Sequence, residues 1–270
     1  MAVLPQYFAR LSGAGEFSPL DDMRSAWASD RVPGPAVAGL LALGAVDAAR
    51  ELAPGASLIR VTTELHSVVR VAPVTLAHSV LKAGRRLTLL LVTLRQAGHE
   101  VARAHAAFAA PQPAPGNDLW LPDLTVSPPP PGSESDALGR QYYSALSGWV
   151  SRGAEVAAVS QKGVWIEGVE LVAGERTPPE ALAGLLADAV NPAGSWGSGG
   201  IHHINVDATL HLSRRPESGG VGLLAERVVE GAGVLATSAV VFDRAGALGV
   251  ATATSIAQRS AVDPARWAPG

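Results

Sequence analysis

Apolar and polar positions in the first half of the chain predict one helix followed by four strands. The run AVAGLLALGAVDAARELA at 36–53 is apolar on most of its faces, which is typical of a largely buried helix. Proline in the first turn, in Pro33-Gly34-Pro35, favours a helix start, and Pro54-Gly55 favours its end. Strand-like runs follow at about 57–69, 74–83, 86–96 and 99–109. This half therefore predicts a helix packed on an antiparallel meander.

The second half predicts a similar order of elements. A valine-rich extended region at about 154–172 precedes a helix at 181–190. Thr177 is the expected N-cap of this helix, with Glu180 at the spacing of a capping box and the glycine-rich residues 191–200 at its end. Strands are expected near 201–214, 221–230, 233–243 and 247–258.

The two halves also align with each other. Residues 95–104 (RQAGHEVARA) fall on 243–252 (DRAGALGVAT), and with one short gap near 216–220 Glu64 falls on Asp207. Two copies of one β-rich unit indicate a fused pseudo-dimer, whose seam is the natural place for a site. A helix lying across an antiparallel sheet, present twice, is the plan of an α+β double hot-dog fold. Its two tandem units would each be a long helix wrapped by a sheet, with the sheets joined edge to edge.

One proline-rich segment divides the chain. Residues 111–136 hold eight of the twenty prolines, and proline disfavours both a helix interior and a central strand. We therefore predict an N-terminal hot-dog unit at 1–110, a linker at 111–136 and a C-terminal hot-dog unit at 137–270. Trp120 and Leu121 are the expected anchor of the linker on the folded body.

Composition narrows the class of protein. A formal net charge of −3 lacks the basic surface typical of nucleic-acid-binding proteins, so we expect no nucleic-acid partner. No apolar run approaches ~18 residues, which argues against a membrane span. Residues 1–10 lack the pattern of a signal peptide. The absence of cysteine excludes disulfides, thiolate catalysis and Cys-ligated metals. A cytoplasmic protein is the simplest expectation.

The clearest alternation of apolar and polar residues lies at 201–215. Period two places the polar residues together on one face of a strand, and a half-solvated strand is the simplest interpretation of that pattern. The apolar set is Ile204, Val206, Ala208, Leu210 and Leu212, and the polar set is Asn205, Asp207, Thr209, His211 and Ser213.

The segment HINVDATLHLSRRP at 203–216 resembles the second-half strand of the acyl-CoA thioesterase II family, N/S-x-D-x-(T/S)-x-x-x-H/S-R-P. VPGPAVAGLLALGA at 32–45 resembles the helix start of the same family, with Gly34, Val37 and Gly39 matching position for position. The resemblance covers essentially the whole chain, and it implies that Asp207 is the catalytic carboxylate.

The resemblance also implies a reaction and a substrate. Hydrolysis of an acyl thioester needs a water held by a carboxylate and N–H groups that stabilise the oxyanion, a part that a helix N-terminus can play. The expected oxyanion donors are at Gly34, Ala36 and Val37, and the expected substrate-binding residues are Asn205 and Thr209. The substrate would be acyl-CoA or another acyl thioester, with CoA as part of the substrate and no metal or cofactor. A homo-oligomer is a further expectation from the family.

Three positions depart from the family pattern. Pro35 stands where a second glycine is common, and it has no N–H to donate. The glutamine of the last strand is replaced by Thr254, or by Ser255 with a shift of one residue, and either residue is expected to act as a catalytic residue that helps to place the water. Val228-Val229 takes the place of a catalytic hydroxyl. These departures favour an alternative, a non-catalytic acyl-thioester-binding protein, and a structural hot-dog protein without a ligand is a third hypothesis.

Other candidate chemistry is weaker. Glu64, the repeat-mate of Asp207, marks either a second site or a solvated strand face. Asp207 and His211 share a D-x-x-x-H spacing with double hot-dog dehydratases, but no histidine in the first half has the partner motif. Adjacent histidines on a strand point to opposite faces, which disfavours a metal site. The remaining candidates are the pair His202-His203, a basic hairpin (Lys82, Arg85 and Arg86) that could contact CoA phosphates, and a flexible loop at Gly197–Gly200.

Overall fold

The computed structural model describes residues 4–20, 25, 27–113, 115–217 and 219–263. The sequence expectation for the N-terminus, at 1–10, therefore falls in part outside the described residues. No helix of the described chain is long and apolar enough to cross a membrane.

The long helix of the first half is present where the pattern predicts it. Helix α1 spans Gly34–Leu52 and is buried along most of its length, as its apolar faces require. Two shorter helices, α2 (Pro179–Ala187) and α3 (Val190–Ser195), and one 3-10 turn (Gly153–Glu155) lie in the second half. The helix expected at 181–190 ends at Ala187, and the glycine-rich segment 191–200 contributes most of α3 and then a short β-hairpin.

The four strands expected in the first half are present, but the predicted meander is correct only for the last three, because the first strand pairs with the fourth. A short hairpin that the pattern did not indicate precedes them. The hairpin is β1 (Gln6–Arg10) and β2 (Glu16–Pro19). The four strands are β3 (Ser57–Leu65), β4 (Val74–Lys82), β5 (Leu87–Gln96) and β6 (His99–Ala109), in the spatial order β4-β5-β6-β3.

The second half holds ten strands in the described residues. The four expected β-runs are present, and the first of them is broken in two. The extended region expected at about 154–172 contains β9 (Lys162–Ile166) and β10 (Glu170–Val172). Two strands that the pattern did not indicate, β7 (Arg140–Ser144) and β8 (Gly148–Val150), precede it. The remainder are β11 (Trp196–Gly197), β12 (Gly200–Asn205), β13 (Asp207–Leu212), β14 (Val221–Gly231), β15 (Val234–Asp243) and β16 (Gly246–Val262).

All described strands belong to one continuous sheet. Its main path runs β10-β1-β2-β4-β5-β6-β3-β13-β16-β15-β14-β9-β7-β8, with β12 beside β16 and β11 beside β12. The seam is the antiparallel pair β3–β13, which joins a first-half strand to a second-half strand. The parallel pair β1–β10 joins the two halves a second time. The backbone groups of β3 and β13 that would otherwise be open edges are therefore paired.

The two central helices pack against each other inside this sheet. A Cβ on Gly184 of α2 would lie 2.4 Å from Cβ of Ala42 on α1. A Cβ on Gly39 would lie 2.9 Å from Cβ of Leu185. Glycine at these points allows a close approach of the helix backbones, which brings the start of α1 to the end of α2.

Two local predictions for the start of α2 are wrong. The N-cap is Pro178, without a side-chain cap. Thr177 instead accepts a hydrogen bond on Oγ1 from the Leu171 N–H at 2.8 Å, and Glu180 forms an ion pair with Arg215, Oε1 to Nε 2.7 Å. A tertiary partner has displaced the local cap in each case.

The predicted linker anchor is also wrong. Trp120 is 87% exposed and Leu121 is 77% exposed. The segment contacts the body further along, where Val126 packs with Trp165 and Phe242. Nε1 of Trp149 donates a hydrogen bond to the Ser127 carbonyl at 2.8 Å. The side chains nearest the second unit hold the linker, because they meet an apolar surface there.

Candidate functional site

The strand pair that carries Asp207 is interrupted by a bulge. Asn205 pairs with Ser255 of β16, and Thr209 pairs with Thr252 of the same strand. The segment from Asn205 to Thr209 therefore contains one residue more than the segment of β16 that it faces. Val206 is the residue between β12 and β13, and it is 39% exposed, whereas Asn205 is 8% exposed. The prediction that Asn205 shares a face with Asp207 is therefore wrong, because an extra residue reverses the side-chain alternation.

Asp207 stands at the first position of β13, half-buried at the seam. Its Oδ1 accepts a hydrogen bond from the Thr254 N–H at 2.7 Å. The Val206 N–H donates to the Thr254 carbonyl at 2.9 Å, and the Val206 carbonyl accepts from the Leu65 N–H at 3.1 Å. The bulge thus holds the carboxylate of Asp207 against the last strand, at Thr254.

A buried polar network lies on the inner side of the same bulge. Asn205 Nδ2 donates to Asp188 Oδ1 at 2.7 Å, and it lies 3.4 Å from the Asp207 carbonyl. Asn191 Nδ2 donates to the His203 carbonyl at 3.1 Å, and its Oδ1 accepts from Ser255 Oγ at 2.9 Å. The Ser255 side chain is fully buried, so it belongs to this inner network.

Asp188 is the ionisable member of that network. It is the C-cap residue of α2 and is 4% exposed. Burial raises the pKa of its carboxyl to about 6, against the opposing effect of the Asn205 hydrogen bond. A Cβ on Gly34 would lie 2.7 Å from Asp188 Oδ2, so the carboxyl of one half lies against the first residue of the helix from the other half. Only glycine leaves room for it.

The first turn of α1 offers fewer free amides than we expected. The Val37 N–H donates to the Pro33 carbonyl at 3.2 Å, so Val37 is not an oxyanion donor in this structure. Pro35 has no N–H. Gly34 and Ala36 keep first-turn amides, which an α-helix leaves without an intrahelical acceptor. Gly34 lies beside Asp188, and Ala36 is fully buried.

The remaining seam residues form pairs. Thr209 Oγ1 lies 3.2 Å from Thr62 Oγ1 of β3. Glu64, which faces Asp207 across the seam, accepts a hydrogen bond on Oε2 from Arg103 Nε at 2.5 Å and lies 3.4 Å from His66 Nε2. The hydrogen bond from Arg103 lowers the pKa of Glu64 below its usual value. These contacts are those of an ion-paired surface carboxylate.

The other sequence candidates contribute no side-chain hydrogen bond to this cluster among the described residues, although the backbone carbonyl of His203 accepts one from Asn191. His202 is exposed and His203 is buried, as the opposite faces of a strand require. Among the described residues no three His, Cys, Asp or Glu side chains are grouped to hold a metal ion. Residues 197–200, where a loop was expected, form the tight turn of the β11–β12 hairpin. Arg85 and Arg86 line a cavity of about 220 Å³ at the C-terminal end of α1.

Sequence reasoning missed Asp188 and Asn191. The signal was present, because these are the polar residues in the otherwise apolar run ALAGLLADAVNPA at 181–193. A polar side chain within a buried helix needs a partner, so it marks a network. That signal does not reveal Gly34 or Asn205 as the partners, since they lie far away in sequence.

Two family models match the chain in consecutive segments. The acyl-CoA thioesterase N-terminal domain matches residues 27–109. The acyl-CoA thioesterase C-terminal domain matches residues 109–256. The second segment contains Asp188, Asp207 and Thr254, and the first contains Gly34. Comparison with curated proteins finds no relative.

Solved structures of low sequence identity share the fold. A proposed thioesterase II of Thermobifida fusca YX is 18% identical with a TM-score of 0.70, covering 93% of this chain and 95% of its own. The tesB protein of Mycobacterium avium subsp. paratuberculosis is 16% identical with a TM-score of 0.64, covering 93% and 95%. A hot-dog-fold protein of Alicyclobacillus acidocaldarius is 15% identical with a TM-score of 0.62, covering 94% and 96%. The expected hot-dog fold is therefore confirmed.

Proposed function

The chain belongs to the acyl-CoA thioesterase family, and from that premise we propose that it hydrolyses an acyl thioester with a water molecule held by Asp207. The observation that carries the proposal is that the strand of Asp207 is linked at the seam, through Asn205, to a buried carboxyl that lies against the start of α1. Asp207 is bonded to Thr254, Asn205 links its strand to Asp188, and Asp188 lies against Gly34. We also infer that the halves are two tandem hot-dog units, which the β3–β13 pair supports.

In the proposed reaction each group has one part. Asp207 keeps Oδ1 on the Thr254 N–H, and its Oδ2, which has no hydrogen-bond partner among the described residues, orients the water, accepts the proton that the water loses on attack and returns it to the leaving sulfur. The thioester carbonyl faces the start of α1, where the amides of Gly34 and Ala36 and the helix dipole stabilise the oxyanion. The tetrahedral intermediate then collapses to a carboxylic acid and a free thiol. The substrate is acyl-CoA or another acyl thioester, and the reaction as written uses no metal or redox group.

The experiment is a thiol-release assay on short, medium, long and aromatic acyl-CoA substrates. We expect Asp207→Asn to lower kcat/KM by roughly 10²–10⁴-fold, the usual contribution of a general base. Glu64→Gln is the matched control, because Glu64 is the acidic register partner of Asp207 on the other side of the seam. An Asp207→Asn protein that kept the wild-type rate would overturn the mechanism. A folded wild-type protein that released no thiol from any substrate would overturn the function.

A second function is favoured by the departures from the family pattern. Ser255 is fully buried, and its Oγ is bonded to Asn191, so it does not supply the amide of the family's glutamine. Val228 and Val229 stand at the hydroxyl position, and both are exposed. A non-catalytic acyl-thioester-binding protein would fit these facts. It predicts heat of acyl-CoA binding in calorimetry together with no thiol release above background.

A further inference from the structure

Two long strands of the sheet have an open outer edge over more than half of their length. β2 pairs with β4 only at Val74 and Thr75, so segment 77–82 has no strand beside it among the described residues. β9 pairs with β14 only at 221–224, so segment 226–231 is open in the same way. The free N–H and C=O groups of such an edge are a template for pairing with another chain.

Both open segments also expose apolar side chains. Four adjacent valines and leucines are between 44% and 67% exposed, namely Val80, Leu81, Val228 and Val229. Bulges, which disfavour edge pairing, occur at one end of each segment only, between Val80 and Lys82 and between Ala225 and Arg227. The stretches 77–80 and 228–231 therefore remain regular, apolar and unprotected.

The two edges carry opposite charge. Lys82 ends the β4 segment, and the turn that follows adds Arg85 and Arg86; none of the three has an ion-pair partner among the described residues. The β14 segment carries Glu226 and Glu230 against a single arginine. Opposite charges on facing strands stabilise a pair, and like charges destabilise it. Each edge therefore fits the other edge better than it fits a copy of itself.

The outward backbone groups of β4 are those of alternate residues. The N–H of Leu76 points outward, since it donates to the carbonyl of Gly15 in the β1–β2 turn at 2.8 Å. The alternation of an antiparallel strand then points the N–H and C=O groups of His78 and Val80 outward as well.

The outward groups of β14 have a matching spacing. The Ala225 carbonyl points outward, where Gln161 Nε2 donates to it at 2.8 Å. The bulge before Arg227 inserts one residue, so the outward positions beyond it are Val228 and Glu230. Each edge thus offers two outward residues that are two positions apart, which is the spacing at which antiparallel strands exchange hydrogen bonds.

The side chains of the two edges lie on corresponding faces of the sheet. Leu76 packs toward Gly44 of α1, and Val80 shares its face, so both point to the helix side. Val228 pairs with Thr237, whose side chain lies against α3, so Val228 also points to the helix side. A strand pair that joined Val80 to Val228 would therefore keep both valines on one face.

We propose that the open edge of β4 in one copy of the chain pairs antiparallel with the open edge of β14 in a second copy. Val80 lies opposite Val228 of the second copy, and His78 lies opposite its Glu230. In this register residue 77 faces residue 231 and residue 82 faces residue 226, so the two six-residue segments cover each other from end to end. The pairing is independent of the proposed hydrolysis.

The contact is heterologous, because it joins two different surfaces. Each copy offers one edge of each kind, so copies associate head to tail. Glu230 is accessible to a second copy, since its side chain is 63% exposed although Oε1 lies 3.8 Å from His203 Nε2. Pairing of β14 with β14 about Val228 would instead place Glu226 opposite Glu230, which repel each other.

The test is analytical ultracentrifugation of the full-length protein over a concentration series. Val80→Asp and Val228→Asp each place a carboxylate at the centre of one edge, where pairing would bury it without a partner. We expect wild type to associate and each variant to be a monomer at concentrations at which wild type is associated. Val250→Asp is the matched control, because Val250 is 44% exposed like Val80 but lies on β16, which is paired on both sides. The control should associate as wild type does.

A mixture of the two edge variants identifies the pairing. Val80→Asp keeps an intact β14 edge and Val228→Asp keeps an intact β4 edge, so the mixture should form a one-to-one complex and nothing larger. Circular dichroism verifies the fold of each protein. Pairing of like edges would leave one variant associated by itself and would give no mixed complex. That result, a wild type that is monomeric at every concentration, or a monomeric Val250→Asp protein would overturn the inference.

Discussion

Glu64 and Asp207 are direct register partners across the β3–β13 seam. They are also the residues that the internal repeat aligns, so the local two-fold relationship of the halves passes between them. Their surroundings are not equivalent. Glu64 is bonded to Arg103, and Asp207 is bonded to a backbone amide of β16. Glu64 therefore belongs to an ion pair, whereas Asp207 has a carboxylate oxygen without a partner among the described residues.

Glu64→Gln is expected to change little. The Glu64 side chain is 34% exposed, and exposed ion pairs stabilise proteins by ~1 kcal/mol or less. We expect a loss of unfolding free energy within that range and a rate of thiol release close to that of the wild type. Urea unfolding and the thiol assay measure the two quantities. A loss of activity comparable to that of Asp207→Asn would instead identify a second site.

Gly34→Ala should disturb the junction of the halves. The added Cβ would lie 2.7 Å from Asp188 Oδ2, and overpacking of this kind costs roughly 1–3 kcal/mol. The melting temperature and urea unfolding are the measurements. The control is the double variant Gly34→Ala with Asp188→Ala, which removes the clash. Strictly additive effects in this double-mutant cycle would contradict the contact.

The pH dependence of the unfolding free energy should contain a contribution from the ionisation of Asp188. Its folded-state pKa is raised from 3.8 to about 6, so the stability that it contributes is complete below pH ~4 and is lost as the pH rises through about 6. The change corresponds to roughly 3 kcal/mol, because one pKa unit is ~1.4 kcal/mol. Asp188→Asn should lack this part of the profile. Unfolding free energies measured from acid to neutral pH for both proteins provide the check, and parallel profiles would refute the expectation.

Asp243 should show the opposite pH dependence. Burial acts to raise the pKa of its carboxyl, but the Arg214 guanidinium and the N–H groups of Glu217 and Ala245 hold it below the usual value. Its stabilising effect is therefore present above pH ~4 and is lost as the pH falls through the folded-state pKa. Asp243→Asn should cost roughly 2–3 kcal/mol near neutral pH, with a smaller difference in acid. A constant difference at all pH values would argue against this ion pair.

The linker should tolerate change at Trp120 and not at Val126. Trp120 is 87% exposed, so Trp120→Ala should alter the unfolding free energy by less than ~0.5 kcal/mol. Val126 is buried against Trp165 and Phe242, and Val126→Ala should cost roughly 1–3 kcal/mol. Thermal unfolding of the two variants makes the comparison. Equal losses would mean that the exposed tryptophan has a partner in solution.

The repeat, the buried helix at 36–53 and the four strands of each half could be predicted from the sequence, because periodicity records which side of an element meets water. The order of the strands in the sheet could not, since β3 pairs with β6 and β13 pairs with β16. The motif at 203–216 allowed Asp207 to be predicted from the sequence as the catalytic candidate. The bulge at Val206 could not be predicted, because the extra residue is defined only relative to the partner strand β16. The predictions of an N-cap at Thr177 and of a linker anchor at Trp120 were wrong for the same reason, since contacts with residues elsewhere in the fold overrode the local preference.

The sequence alone determined the family, the order of the elements and one catalytic candidate. Only the tertiary structure decided which groups meet: Asp188 with Gly34 and Asn205, Ser255 with Asn191, and Glu64 with Arg103. The physical reason is that side-chain alternation and helix periodicity are properties of neighbouring residues, whereas burial, hydrogen bonding and the pKa of a carboxyl depend on groups brought together by chain folding.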